Sequence, residues 1–162
     1  METWWPAYVG VGSNLHDPRR QVLEACARLA RLPQTHVPLI SRLYASRPFG
    51  KVDQPDFVNA AAGLLTQLGA DALLTELRAI ESAMGRPAQR ERWGPRVIDL
   101  DLLAYGSERR SGGELLLPHP GIVERNFVLY PLAEIAPDVE LPGLGRVAEL
   151  ASRLTSAGLS AL

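Results

Sequence analysis

Between Tyr8 and Tyr105 the hydrophobic period of the chain switches in a fixed order: strand, helix, strand, strand, helix, strand. Few folds accept that order. Tyr8-Val9-Gly10-Val11 is short and β-branched, and Gly12-Ser13-Asn14 closes it as a turn. Asp17 can cap a helix with Pro18 at its first position, and Val22, Cys26, Leu29 and Ala30 keep helical spacing as far as Pro33. Residues 37–45 then alternate, with Leu39, Ser41 and Leu43 on one side and Ile40, Arg42 and Tyr44 on the other, which predicts a second strand. Residues 57–66 predict a third. Asp71 opens a second helix whose stripe is Leu73, Leu77, Ile80 and Met84 and which ends at Gly85; residues 97–105 predict a fourth strand.

This order predicts an α+β fold with a ferredoxin-like βαββαβ core, an antiparallel sheet with helices packed over one face. Beyond it, two weaker helical patterns at 127–135 and 146–154 form a C-terminal extension that should pack on the core. With 162 residues, 46% of them apolar, the chain suits a single domain over 1–162. Net charge is −1, too little to hold a polyanion, so no nucleic-acid partner is expected. A lone Cys26 excludes a disulfide framework, and no run approaches the ~20 apolar residues of a membrane span. A cytoplasmic monomer without a membrane partner is expected.

Asp99 and Asp101 stand two apart in a run otherwise made of Val97, Ile98, Leu100, Leu102 and Leu103, so both carboxylates point to the same face. Two such groups repel each other and resist desolvation unless a cation or several donors compensate them. Magnesium is the simplest compensation, since it takes oxygen ligands from one or two carboxylates and completes its shell with substrate phosphates. The alternative is that one Asp pairs with an arginine while the other faces water at a sheet edge. Directly upstream, Arg86, Arg90, Arg92 and Arg96 crowd a loop in which Glu91 is the one acid. Guanidinium forks beside a metal site imply a polyphosphate, although the loop could also be a solvated basic segment pairing with the two aspartates.

The remaining candidates are individually bland. Trp93 offers a large face and an indole donor, or serves as a lid anchor or as buried ballast. His119, fixed between Pro118 and Pro120 near Arg125, could donate to phosphate oxygens or be structural. Asn59 can offer donor and acceptor to a planar heterocycle, or satisfy a neighbouring backbone group; Phe57 and Phe127 could supply flat faces or belong to the core. Arg78 and Glu81, three apart on the second helix, are most economically an exposed ion pair.

Taken together, Gly12-Ser13-Asn14-Leu15, Asp53-Gln54-Pro55-Asp56-Phe57-Val58-Asn59 and Arg92-Trp93-Gly94-Pro95-Arg96-Val97-Ile98-Asp99-Leu100-Asp101-Leu102-Leu103 resemble the 6-hydroxymethyl-7,8-dihydropterin pyrophosphokinases. The resemblance continues through Leu117-Pro118-His119-Pro120 and Glu124-Arg125-Asn126-Phe127-Val128-Leu129 to Glu134-Ile135-Ala136-Pro137. It implies transfer of a diphosphate from ATP to a pterin alcohol in folate biosynthesis, with release of AMP. It also implies that Asp99 and Asp101 hold two magnesium ions and that Arg86, Arg92, Arg96, His119 and Arg125 surround the triphosphate. Glu81, Trp93 and Leu102 fall to the nucleotide side. By the same resemblance the pterin would lie between Phe57 and Phe127, its edge read by Asn59 and by backbone near Ser46 and Phe49. Three mobile loops are implied, beginning at Gly12, Arg47 and Arg86.

Some positions depart from the family pattern: Ser46 stands where threonine is common, Arg47 where proline is frequent, and Ala88 where some members carry arginine, a gap that Arg90 could fill. Two other classes share parts of this pattern. A non-catalytic nucleic-acid or small-molecule binding module shares the element order, but Phe57-Val58-Asn59-Ala60-Ala61-Ala62 lacks the spaced aromatics of an RNA-reading strand. A palm-like nucleotidyltransferase also pairs aspartates, yet needs a further carboxylate on a neighbouring strand, and 57–66 has none.

Overall fold

The computed structural model describes residues 2–47, 53–85 and 97–162. Within them the chain runs β1 (Trp5–Ser13), α1 (Pro18–Ala30), β2 (Thr35–Ile40), β3 (Tyr44–Ser46), β4 (Phe57–Thr66), α2 (Ala70–Ala83) and β5 (Asp99–Tyr105). Then follow a 3-10 turn (Ile122–Glu124), α3 (Asn126–Ile135), β6 (Glu140–Leu141), β7 (Gly145–Arg146), α4 (Val147–Ser152) and β8 (Leu159–Ala161). The main sheet has the order β5-β1-β4-β3-β8, with β2 also pairing β4, and every pairing is antiparallel. β5 and β8 are therefore edges, and β1 and β4 form the centre.

The expected second strand is two strands. Pro38 cannot donate to a ladder, the register with β4 shifts between His36 and Leu39, and β2 ends at Ile40. Ser41 bridges the break: its amide donates to the Ala61 carbonyl and its hydroxyl accepts the Ala61 amide, both at 2.9 Å. β3 then resumes pairing lower on the same strand, Tyr44 opposite Asn59 and Ser46 opposite Phe57. The Asp17 cap also differs. Asp17 adopts a left-handed conformation, φ 63°, and its side chain makes no capping bond; only its carbonyl joins α1, accepting from the Gln21 amide at 3.0 Å.

Helices cover both faces of the sheet rather than one. On the first, Leu29 of α1 and Leu73 and Leu77 of α2 are fully buried against Val9, Val11, Ala60, Ala62, Leu100 and Leu102. Burial of each leucine contributes about 1.5–3 kcal/mol. On the second face the C-terminal extension packs on the core as expected: Ile122, Leu129, Leu132, Val147 and Leu150 cluster with Ala61, Leu103 and Ala104. Helix α3 therefore lies over the face that carries Asn59 and Ala61 of β4 and Asp99, Asp101 and Leu103 of β5. Cys26 belongs to the first cluster, and burial pushes its thiol up to about 11, which keeps it protonated and inert.

A clamp joins α3 to the strand break. The Glu134 carboxylate accepts from the Arg42 amide at 2.9 Å and from the Tyr44 hydroxyl at 2.5 Å. Burial, and then the bond to and charge of Glu134, push the Tyr44 phenol from 10.0 to about 12. The folded state thus keeps a proton that the unfolded chain releases near pH 10, so this contribution to stability is lost as pH rises from about 10 to about 12. Across that window the denaturant midpoint of the wild type should fall further than that of Tyr44→Phe; parallel curves would refute the clamp's role.

Candidate functional site

The site face is built by strand register. Asp99 and Asp101 of β5 lie opposite Gly12 and Gly10 of β1, and those glycines lie opposite Asn59 and Ala61 of β4. Directly opposed residues share a face, so the two carboxylates and the Asn59 amide look out from one surface, with only glycine between. Two strand spacings separate Asp99 from Asn59, about 10 Å. Gly12 is required there: a Cβ on it would sit 2.8 Å from the Asn59 Oδ1. Asp99 and Asp101 are both half-buried. They supply hard oxygen donors and nothing softer, and no group of three His, Cys, Asp or Glu able to hold a metal occurs among the described residues. The donor set fits magnesium that completes its shell with ligand oxygens, and it does not fit a closed structural metal centre.

Because β5 is an edge strand, a cleft of about 340 Å³ runs along it, lined by Glu81, Asp101, Leu102, Leu115, His119 and Pro120 among others. Glu81 is 2% exposed, and its Oε2 accepts the Leu100 amide at 2.8 Å, occupying an edge donor that no strand would satisfy. The expected Arg78–Glu81 ion pair is not formed. Arg78 turns outward to Glu114 at 3.3 Å, because Glu81 stands eight residues after Leu73 and falls on the buried stripe. Helical spacing carried that signal.

His119 faces the same cleft. The Gly121 amide donates to its Nδ1 at 3.2 Å, so the neutral ring carries its proton on Nε2. Burial, and then the Arg125 charge, hold its pKa below the usual histidine value, with Asp99 pulling the other way. The Arg125 guanidinium lies across Gly121, within 3 Å of where a Cβ would stand. Arg125, His119 and Asp99 therefore share one electrostatic neighbourhood.

A second hollow, about 380 Å³, lies between β3 and the start of α3, with Ser46, Arg47, Arg125 and Phe127 in its lining. Ser46 is buried, and its hydroxyl accepts the Asn59 Nδ2 at 2.6 Å. Asn59 thus bonds a side chain rather than the backbone group considered above. Phe57 is two residues from Asn59 and shares its face, while Phe127 comes from the helix layer above. Sequence reading missed Asn14 as a tie: nearly fully buried, it donates to Gln54 Oε1 and the Pro55 carbonyl, both at 2.9 Å, joining the end of β1 to the segment before β4. Phe49, Arg86, Ala88, Arg90, Arg92, Trp93 and Arg96 lie outside the described residues.

Comparison with known proteins identifies the family and the fold. The family described as 7,8-dihydro-6-hydroxymethylpterin-pyrophosphokinase (HPPK) matches residues 8–137. The 2-amino-4-hydroxy-6-hydroxymethyldihydropteridine pyrophosphokinase of Pseudomonas aeruginosa is 44% identical over 155 residues, 96% of this chain and 95% of that protein. Its counterpart from Haemophilus influenzae is 44% identical over 144 residues, 89% of each chain. Among solved structures, wild-type Plasmodium falciparum HPPK-DHPS with pteroate aligns at a TM-score of 0.76 over 94% of this chain. At 14% identity that likeness concerns the fold, and this chain spans 43% of that longer one.

Proposed function

Because the chain belongs to the 7,8-dihydro-6-hydroxymethylpterin-pyrophosphokinase family, we propose that the face between its two hollows is where ATP and the pterin alcohol meet. The activity is that of a pyrophosphokinase of folate biosynthesis, an ATP-dependent diphosphotransferase. In this reading the pterin hydroxymethyl oxygen attacks the β-phosphorus of ATP in line and AMP leaves, so catalysis rests on positioning and charge neutralisation. The observation that carries it is the floor itself: paired carboxylates on one side, an oriented amide on the other, and glycine between them.

Asp99 and Asp101 would hold two magnesium ions shared with the ATP phosphates. Bound there, magnesium neutralises phosphate charge and orients the triphosphate. Glu81 and Leu102 line the nucleotide cleft, with the Glu81 carboxylate fixed by the Leu100 amide. His119 offers Nε2–H as a neutral donor to a phosphate oxygen, Arg125 adds a fixed cation, and Arg86, Arg92, Arg96 and Trp93 complete the nucleotide side. Asn59 spends its amide N–H on Ser46, which leaves Oδ1 over Gly12 as an acceptor for a pterin N–H. Phe57 and Phe127 flank the ring, and backbone near Ser46 and Phe49 reads its edge. The enzyme acts as a cytoplasmic monomer with no nucleic-acid or membrane partner; no helix among the described residues is long and apolar enough to cross a membrane.

Product analysis tests this reading. With ATP, magnesium and 6-hydroxymethyl-7,8-dihydropterin, the expected products are AMP and a pterin diphosphate. ADP in place of AMP would make the protein an ordinary kinase, and an absence of ATP consumption would make it a binding module.

A further inference from the structure

The hollow beside Phe127 has a wall that the family reading leaves without a role. Segment 154–162 leaves α4, passes under the start of α3 and returns as β8 along the outer edge of β3. The Asn126 amide, next to Phe127, donates to the carbonyls of Thr155 at 2.9 Å and Ala157 at 3.0 Å. The Tyr130 hydroxyl, one turn along α3, donates to the Leu154 carbonyl at 2.7 Å. From there the segment reaches β3: the Arg47 amide donates to the Gly158 carbonyl at 3.2 Å, and the Leu162 amide to the Leu43 carbonyl at 2.9 Å. Thr155, Ala157 and Gly158 line the hollow together with Ser46 and Phe127.

β3 is three residues long, and without β8 it would pair with β4 alone. A strand that short, bonded on one side, holds its residues loosely. Ser46 is its last residue and holds the Asn59 amide. The segment therefore links both walls of the hollow, the helix that presents Phe127 and the strand that presents Ser46. We propose that segment 154–162, locked by Asn126, is a strap that sets the spacing of the pterin subsite, and that Asn126 is a positioning residue for pterin affinity. The inference rests on the assignment of Phe127 and Asn59 to the pterin.

Two full-length variants test it. Asn126→Ala removes the lock. Ser160→Pro removes a ladder donor at an exposed position: Ser160 pairs with Ala45, midway between the bonds from Arg47 and Leu162, where the antiparallel pattern places mutual hydrogen bonds. Each should raise KM and the dissociation constant for the pterin alcohol by about tenfold, with KM for ATP and kcat within about twofold, because only pterin-side spacing is lost. Ser160→Ala, which keeps the backbone donor, should behave as wild type. Unchanged pterin KM in both variants, or equal losses for pterin and ATP, would overturn the strap. If Ser160→Pro does not fold, Asn126→Ala carries the test. Phe127→Ala and Asn59→Ala, titrated alongside, separate the two ideas: normal pterin binding in these overturns the subsite and the strap with it. Weakened binding in these, with normal binding in the strap variants, overturns the strap alone.

Discussion

Asp99→Ala is expected to lose diphosphate transfer by on the order of a thousandfold or more, while pterin binding, followed by titration, persists. The carboxylate sits at the half-buried start of β5 on the face shared with Asp101. A metal-centred charge clamp supplies several kcal/mol of transition-state stabilisation, and each 1.36 kcal/mol is about tenfold in rate. The residues proposed for the pterin side stand apart from Asp99, Asn59 two strands away on β4, Ser46 one strand further on β3 and Phe127 on α3, so the two effects separate. Residual turnover within about tenfold of wild type would remove the two-ion proposal, whereas loss of pterin binding as well would mean that Asp99 holds the fold rather than the phosphates.

The second large effect is expected at a residue with no functional group. Gly12→Ala places a Cβ 2.8 Å from the Oδ1 of Asn59, and Asn59 cannot swing away without breaking its 2.6 Å bond to Ser46. Overpacking of this kind costs about 1–3 kcal/mol, and the same collision fills the floor between carboxylate and amide, so pterin affinity should fall by about tenfold or more. Gly10→Ala is the contrast in stability: the nearest atoms to its Cβ would be those of the Leu103 side chain, at 3.5 Å, an ordinary contact. Thermal melts of the two variants with calorimetric pterin titration of Gly12→Ala check this. A Gly12→Ala protein that melts and binds like wild type would mean the floor is not used.

Much of this architecture was legible because local pattern and global fold agree. The apolar runs at 57–66 and around Asp99 placed β4 and β5, and the Leu73, Leu77, Ile80 stripe placed α2. The convergence of Asp99 and Asp101 followed from a period of two alone. Other features depended on contacts that no local period encodes. Pro38 marks the register shift inside β2, yet only pairing with β4 shows that the chain leaves the ladder after Ile40 and resumes it at Tyr44. Helical spacing puts Glu81 on the buried stripe of α2, but only the β5 edge shows which amide its carboxylate accepts. β8 is too short to register as a strand, and it exists because β3 offers an open edge. The sidedness of α3 and α4 depended on which sheet face the first two helices left bare. Asp17 shows the converse: residue type and position suited a cap, but the left-handed turn into α1 gave its side chain no capping bond.

On the proposed reading, the Asp99 and Asp101 carboxylates share divalent cations with the phosphates of a bound nucleotide. Crystals grown with manganese, an unreactive ATP analogue and the pterin alcohol test it most directly through anomalous scattering. Two manganese peaks within bonding distance of both carboxylates and of phosphate oxygens are expected, with the pterin hydroxymethyl group pointing toward them. An ordered triphosphate with no anomalous peak at either carboxylate would rule out the shared cations.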